Sequence, residues 1–254
     1  MNSFIRSLGR PLVRVYRRLA YPRFYDLMTK TRGMLAPGIY KEIYESLYKL
    51  PDLDVVEVGG AAGSGSISAA WGMLESGKKS HLIVIERCEG GSRARYGDYN
   101  TNLQIILDNF RKFGVLDQIV LFPYNLTFEN QVEAKALIQT PQIAGLVHDA
   151  DGRLDRDFAI FYPLLTDNGL IIVDDYENIP LNRRQTGGDT KKLITYRLLN
   201  QLLDWELVKI DKVMGNTVFG HKPIGADFSR FSLERCAEIV RTTQNERAAA
   251  LSKA

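Results

Sequence analysis

The chain has 254 residues, 45% of them hydrophobic and 25% charged, with a formal net charge of +3. Those proportions describe a globular protein and exclude a disordered or collagen-like chain. Two cysteines exclude a disulfide framework and a zinc motif, and no apolar run approaches the roughly 20 residues that span a bilayer.

The positive charge is concentrated at the N-terminus. Residues 1–32 hold eight arginines and lysines against Asp26 alone, so the rest of the chain is net acidic. That distribution predicts no nucleic-acid-binding core. Phe4, Leu8, Leu12, Val13, Val15, Tyr16 and Leu19 recur among the arginines and predict an amphipathic helix over 3–20, limited by Pro11. Such an arm, residues 1–34, either caps the domain, packs on a partner subunit, or lies on an anionic membrane surface. The arginines also argue against a secretory signal. With Cys88 and Cys236 read as reduced thiols, the expected setting is the cytoplasm, with peripheral membrane contact through the arm as the variant.

A helix over Tyr40–Leu50 comes next, ended by Pro51-Asp52. Short apolar runs then alternate with helical stretches: Val55–Val58, Leu82–Ile85, Ile119–Phe122, Gly145–Val147 and Leu170–Val173. This pattern predicts a doubly wound α/β domain over 35–223 with a mostly parallel sheet. After a helix around Leu193–Leu203, the runs Trp205–Val213 and Thr217–His221 flank Gly215-Asn216 and predict a hairpin. The sheet should therefore have seven strands, the last antiparallel. Residues 224–254 read as a helical tail.

Three motifs carry chemistry. The first is the strand Val55–Val58 running into Gly59, Gly60, Gly63 and Gly65, a turn through which a ligand can approach the backbone. Gly63-Ser64-Gly65 is a loose dinucleotide pattern, but it starts five residues beyond the strand. The whole segment fits E-x-G-x-x-x-G-x-G, similar to motif I of S-adenosylmethionine (SAM)-dependent methyltransferases, in which Glu57 lies near the amino group of SAM. The second is Glu86, ending the second strand, where a carboxylate can accept hydrogen bonds from both ribose hydroxyls of either cofactor. The third is the pair of acidic clusters Asp149 with Asp151, and Asp174 with Asp175, after the fourth and fifth strands. Capping and turn formation explain either one alone. Together they place repelling carboxylates at neighbouring strand ends, an arrangement that suits Mg²⁺ or another hard cation.

Glu57–Gly65, Glu86, Asp149–Gly152 and Pro163–Tyr176 resemble the metal-dependent small-molecule O-methyltransferases, nearest to the macrocin and macrolide-sugar group and more distantly to catechol O-methyltransferase. The resemblance covers about residues 35–222 and implies a Rossmann-like class I fold. It also implies a SAM cofactor, Asp149, Asp174 and Asp175 as metal ligands, and Asp149 also beside the cofactor. The metal would activate and orient a substrate hydroxyl, whose oxygen attacks the SAM methyl group as sulfur leaves. Tyr124 and Asn125 stand where the family contacts adenine. The family's histidine after the fourth strand is absent, since the chain reads Asp149-Ala150-Asp151-Gly152, and the catechol enzymes' lysine is unmatched. That leaves His148, Asp149 and Asp151 as catalytic candidates. Arg183-Arg184 and the following Gly187-Gly188 could cover an acidic acceptor. The expected acceptor is a small molecule, such as a sugar or glycosylated metabolite, and the expected assembly a homo-oligomer. Two further readings stay open: a nicotinamide-dependent oxidoreductase, and a non-catalytic SAM-binding or scaffold protein.

Overall fold

The computed structural model describes residues 10–89, 97–183 and 189–253. Phe4 and Leu8 of the expected arm helix, and Arg184–Gly188 of the expected acceptor loop, lie outside them. The strand order is β3-β2-β1-β4-β5-β7-β6, a seven-stranded α/β sheet. The chain divides into two compact units, residues 1–126 with 132–140, and 127–131 with 141–254.

In the first unit, α1 (Arg10–Ala20), α2 (Pro22–Thr31) and α3 (Pro37–Lys49) precede β1 (Asp54–Val58). Prolines open α2 and α3, where a missing N–H costs nothing. β1 pairs in parallel with β2 (Leu82–Ile85), and β2 with β3 (Ile119–Phe122). All residues of β1 and β2 are buried, which explains why they read as continuous apolar runs. The crossover helices are α4 (Ser64–Glu75) and α5 (Tyr99–Lys112), and a short α6 (Gln131–Lys135) follows β3. Asp54 pins the start of β1. Its buried carboxylate accepts hydrogen bonds from the backbone of His81, Gln139 and Thr140.

In the second unit, β4 (Ile143–His148) runs parallel to β5 (Leu165–Val173), with α7 (Leu154–Phe161) between them. After α8 (Asp189–Asp204), β6 (Lys209–Met214) and β7 (Thr217–His221) form the expected hairpin. β7 returns antiparallel to β5, pairing Val173 with Val218. Gly215, at φ 65°, supplies the left-handed turn. The tail is α9 (Leu233–Ser252), started by a Ser232 cap on the Arg235 N–H. A column of stacked rings, Phe158, Tyr162, Phe228 and Phe231, fixes the tail segment with centroid spacings of 5.2, 5.2 and 5.0 Å. No helix among the described residues is long and apolar enough to cross a membrane.

Candidate active site

The glycine-rich loop leaves β1 and enters α4. Gly63 sits at φ 90°, and a Cβ there would lie 2.7 Å from the Phe110 ring, so both backbone and space demand glycine. A Cβ on Gly65 would lie 2.8 Å from Oε1 of Glu57, whose carboxylate is buried directly beneath the loop. Gly59 and Gly60 form the turn itself, the Gly63 N–H donating to Gly60 O at 2.8 Å. Burial pushes the Glu57 carboxyl up to about 7, against the opposing hydrogen bond from the Ser66 hydroxyl. Glu86 is only 1% exposed. Its oxygens accept from the Ala61 N–H at 2.6 Å and the Cys88 N–H at 3.1 Å. Ala61, held at φ 48°, is thereby stapled in a left-handed conformation that alanine rarely adopts. From the N-terminal side, Thr31 Oγ1 meets Ser64 Oγ at 2.6 Å, so α2 borders the loop. Tyr124 stands 58% exposed beyond β3, its ring edge-on to Phe122, and Asn125 beside it is also exposed.

In the second unit, Asp149 follows β4 while Asp174 and Asp175 follow β5. Their carboxylates each offer an oxygen, all within 4.8 Å of one another. Parallel pairing of His148 with Val173 brings the two strand ends level. Asp175 is held at φ 60°, the left-handed region, which is backbone strain at the cluster. Burial and then Asp175 push the Asp174 carboxyl above the ordinary range, opposed by a 2.6 Å hydrogen bond from Thr217. A cation reaches the cluster from α8: Lys191 Nζ lies 2.5 Å from Asp175 Oδ2 and 3.8 Å from Asp149 Oδ1. Burial alone would lower the Lys191 ammonium, but Asp149 and Asp175 outweigh it and push it up.

His148, at the end of β4, and Asp151, before α7, belong to a second polar cluster with Arg156 and Asp157 of α7. His148 is 1% exposed, with Nδ1 2.6 Å from Asp157 Oδ2 and Nε2 without a hydrogen-bond partner among the described residues. Asp157 also pairs with Arg156, and Arg156 pairs with Asp151 at 3.0 Å. Burial would raise the Asp151 carboxyl, but Arg156 holds it below its ordinary range, so Asp151 is an ionised member of this network. Arg183 is tied to Glu177 at 3.2 Å, as is Lys192 at 2.9 Å.

The motif reading missed Lys191, Thr217 and Asp157. Lys191 had a signal. Two lysines in the first turn of a helix oppose its dipole and need another reason to be there. Thr217 and Asp157 had none, because each reaches its partner only through tertiary packing.

No protein-family profile matches the chain, and no curated protein matches it by sequence. Solved structures do match. An O-methyltransferase from Bacillus cereus in complex with SAH is 12% identical, with a TM-score of 0.56 over 78% of this chain and 90% of that one. The O-methyltransferase TomG from Streptomyces achromogenes, involved in tomaymycin synthesis and solved with SAM, is 13% identical, with a TM-score of 0.58 over 83% and 96%. CalS11, a TDP-rhamnose 3'-O-methyltransferase of calicheamicin biosynthesis, is 14% identical, with a TM-score of 0.53 over 84% and 87%. The chain therefore has the α/β fold that these O-methyltransferases share.

Proposed function

We propose that this protein is a SAM-dependent O-methyltransferase acting on a hydroxyl of a small molecule, such as a sugar or glycosylated metabolite. The observation that carries the reading is the acidic triad Asp149, Asp174 and Asp175 at the carboxyl ends of adjacent parallel strands, in a fold shared with enzymes solved with SAM or SAH. The sugar class rests on the likeness to CalS11, a TDP-rhamnose 3'-O-methyltransferase.

Each residue has a role in this reading. Glu57 accepts the amino group of SAM, the N-terminus of α4 faces its carboxylate, Glu86 borders the ribose, and Tyr124 with Asn125 receives the adenine. Three carboxylate oxygens within 4.8 Å fit a hard divalent cation such as Mg²⁺. A cation held by Asp149, Asp174 and Asp175 would act as a Lewis acid on the acceptor hydroxyl. Lys191 supplies the counter-charge to these carboxylates. Thr217 orients Asp174 through its hydrogen bond. Asp157 fixes the ring of His148, the residue before Asp149. The two buried free thiols fit a reducing cytoplasmic setting.

Titration calorimetry of SAM and of MgCl₂ on the wild type and on Asp174→Ala tests the reading. SAM should bind both proteins, and Mg²⁺ heat should vanish in the variant. Absence of SAM binding together with NADH or NADPH binding would replace the reading with an oxidoreductase. SAM binding without Mg²⁺ binding, and without methylation of any sugar hydroxyl in a panel of nucleotide sugars and glycosides, would leave a SAM-binding scaffold.

A further inference from the structure

The N-terminal arm behaves as two different helices. In α2, Phe24, Leu27 and Thr31 are buried, and the helix is part of the packed first unit. In α1, Leu12, Val15, Tyr16 and Leu19 recur at i, i+3, i+4 and i+7, which is one face of a helix. They are 56%, 54%, 44% and 77% exposed. A helix that capped its own domain through this stripe would bury it. α1 makes a polar contact with α2, Arg14 Nε donating to the Tyr25 hydroxyl at 2.9 Å.

The opposite side of α1 carries Arg14, Arg17 and Arg18, and the helix contains no acidic residue. That charge selects the occupant. Pairing the stripe with that of a second copy would cover the apolar side chains but leave the arginines on the far side of each helix, with no acidic residue in either α1 for them to meet. An anionic lipid surface accepts both features at once. Apolar side chains enter the boundary between headgroups and acyl chains, and the guanidinium groups remain among phosphates. We infer that α1 is an interfacial anchor that docks this protein peripherally on an anionic phospholipid bilayer.

Each basic residue near an anionic surface contributes about fivefold in partitioning, and the attraction falls over a Debye length. The test is co-sedimentation of the full chain with phosphatidylcholine vesicles, with and without one-quarter phosphatidylglycerol, at low and physiological salt. The inference expects binding to the anionic vesicles, weak binding to neutral ones, and loss as salt rises. The double variant Arg17→Gln/Arg18→Gln should bind roughly 25-fold more weakly, and Val15→Ser/Leu19→Ser should lose binding at any salt. These side chains are exposed or half-buried, so both variants should keep the wild-type far-ultraviolet spectrum and SAM affinity. Either variant binding like the wild type overturns the inference, as does equal binding to neutral vesicles. A wild type that ignores vesicles but forms a dimer dissolved by Val15→Ser/Leu19→Ser also overturns it, and assigns the stripe to a second copy.

Discussion

Arg247 offers the sharpest test of how the second unit is held together. The residue lies in α9 and is buried. Its guanidinium has five N–H donors, and the structure gives all of them acceptors. Nε donates to Thr190 Oγ1 at 3.0 Å, and Nη1 donates to the carbonyls of Pro180 and Leu181 at 3.3 and 3.1 Å. Nη2 donates to Arg183 O at 2.9 Å and Asp189 Oδ2 at 3.4 Å. One side chain thus latches the tail helix to both Pro180–Arg183 and the start of α8, two residues before Lys191. Arg247→Ala removes the latch and leaves the buried Asp189 carboxylate without its cation. Breaking a buried pair by deleting one partner costs about 3–5 kcal/mol. For a chain of this size that lowers Tm by roughly 10 °C. Arg247→Lys keeps the charge but only three donors, so its loss should be intermediate. The assay is calorimetric or fluorescence melting with amide exchange, which should accelerate at Leu181–Arg183 and Asp189–Lys192 in the alanine variant. An alanine variant melting within about 2 °C of wild type, with unchanged exchange there, would refute the latch.

Other tests address the site. Glu57 titrates near 7 rather than near 4.5, so its contribution to stability is complete below about pH 4.5 and is lost as pH rises through about 7. The loss is about 3 kcal/mol, and urea midpoints of the wild type and Glu57→Gln between pH 5 and 8 should diverge accordingly. If SAM places its ammonium on Glu57, binding at pH 6 releases a proton, read as a calorimetric heat that depends on the buffer's ionisation enthalpy. Gly63→Ala would meet Phe110 at 2.7 Å in a left-handed conformation, so SAM binding should fall at least tenfold; unchanged affinity would move the cofactor away from this loop. Lys191→Met removes an ammonium that lies among the three carboxylates. Even at the dielectric of water, a unit charge about 4 Å from a divalent ion costs about 2 kcal/mol. Mg²⁺ should therefore bind roughly 30-fold tighter in the variant, and weaker binding would make Lys191 a support of the metal site rather than its competitor.

Much of this architecture is legible in the chain because its signals are local. Buried parallel strands are runs of apolar residues, so β1, β2 and β3 could be bounded to within a residue of the structure, and Gly215-Asn216 announced the hairpin. The strained glycine turn and the acidic residues closing β4 and β5 declare themselves in the same way. Parallel pairing then needs only register to bring Asp149 level with Asp174 and Asp175. What tertiary structure alone decided is which of those charges are engaged, and with what. Lys191 reaches the triad from another element, Arg247 reaches Asp189 across 58 residues of sequence, and His148 is withdrawn behind Asp157. No period or spacing encodes such contacts, because they arise from how helices pack on a sheet. The same packing buried one face of α2 and left the apolar stripe of α1 in solvent, although both helices carry apolar residues at helical spacing. Local pattern sets what a segment can bury, and the neighbours available in three dimensions set what it does bury.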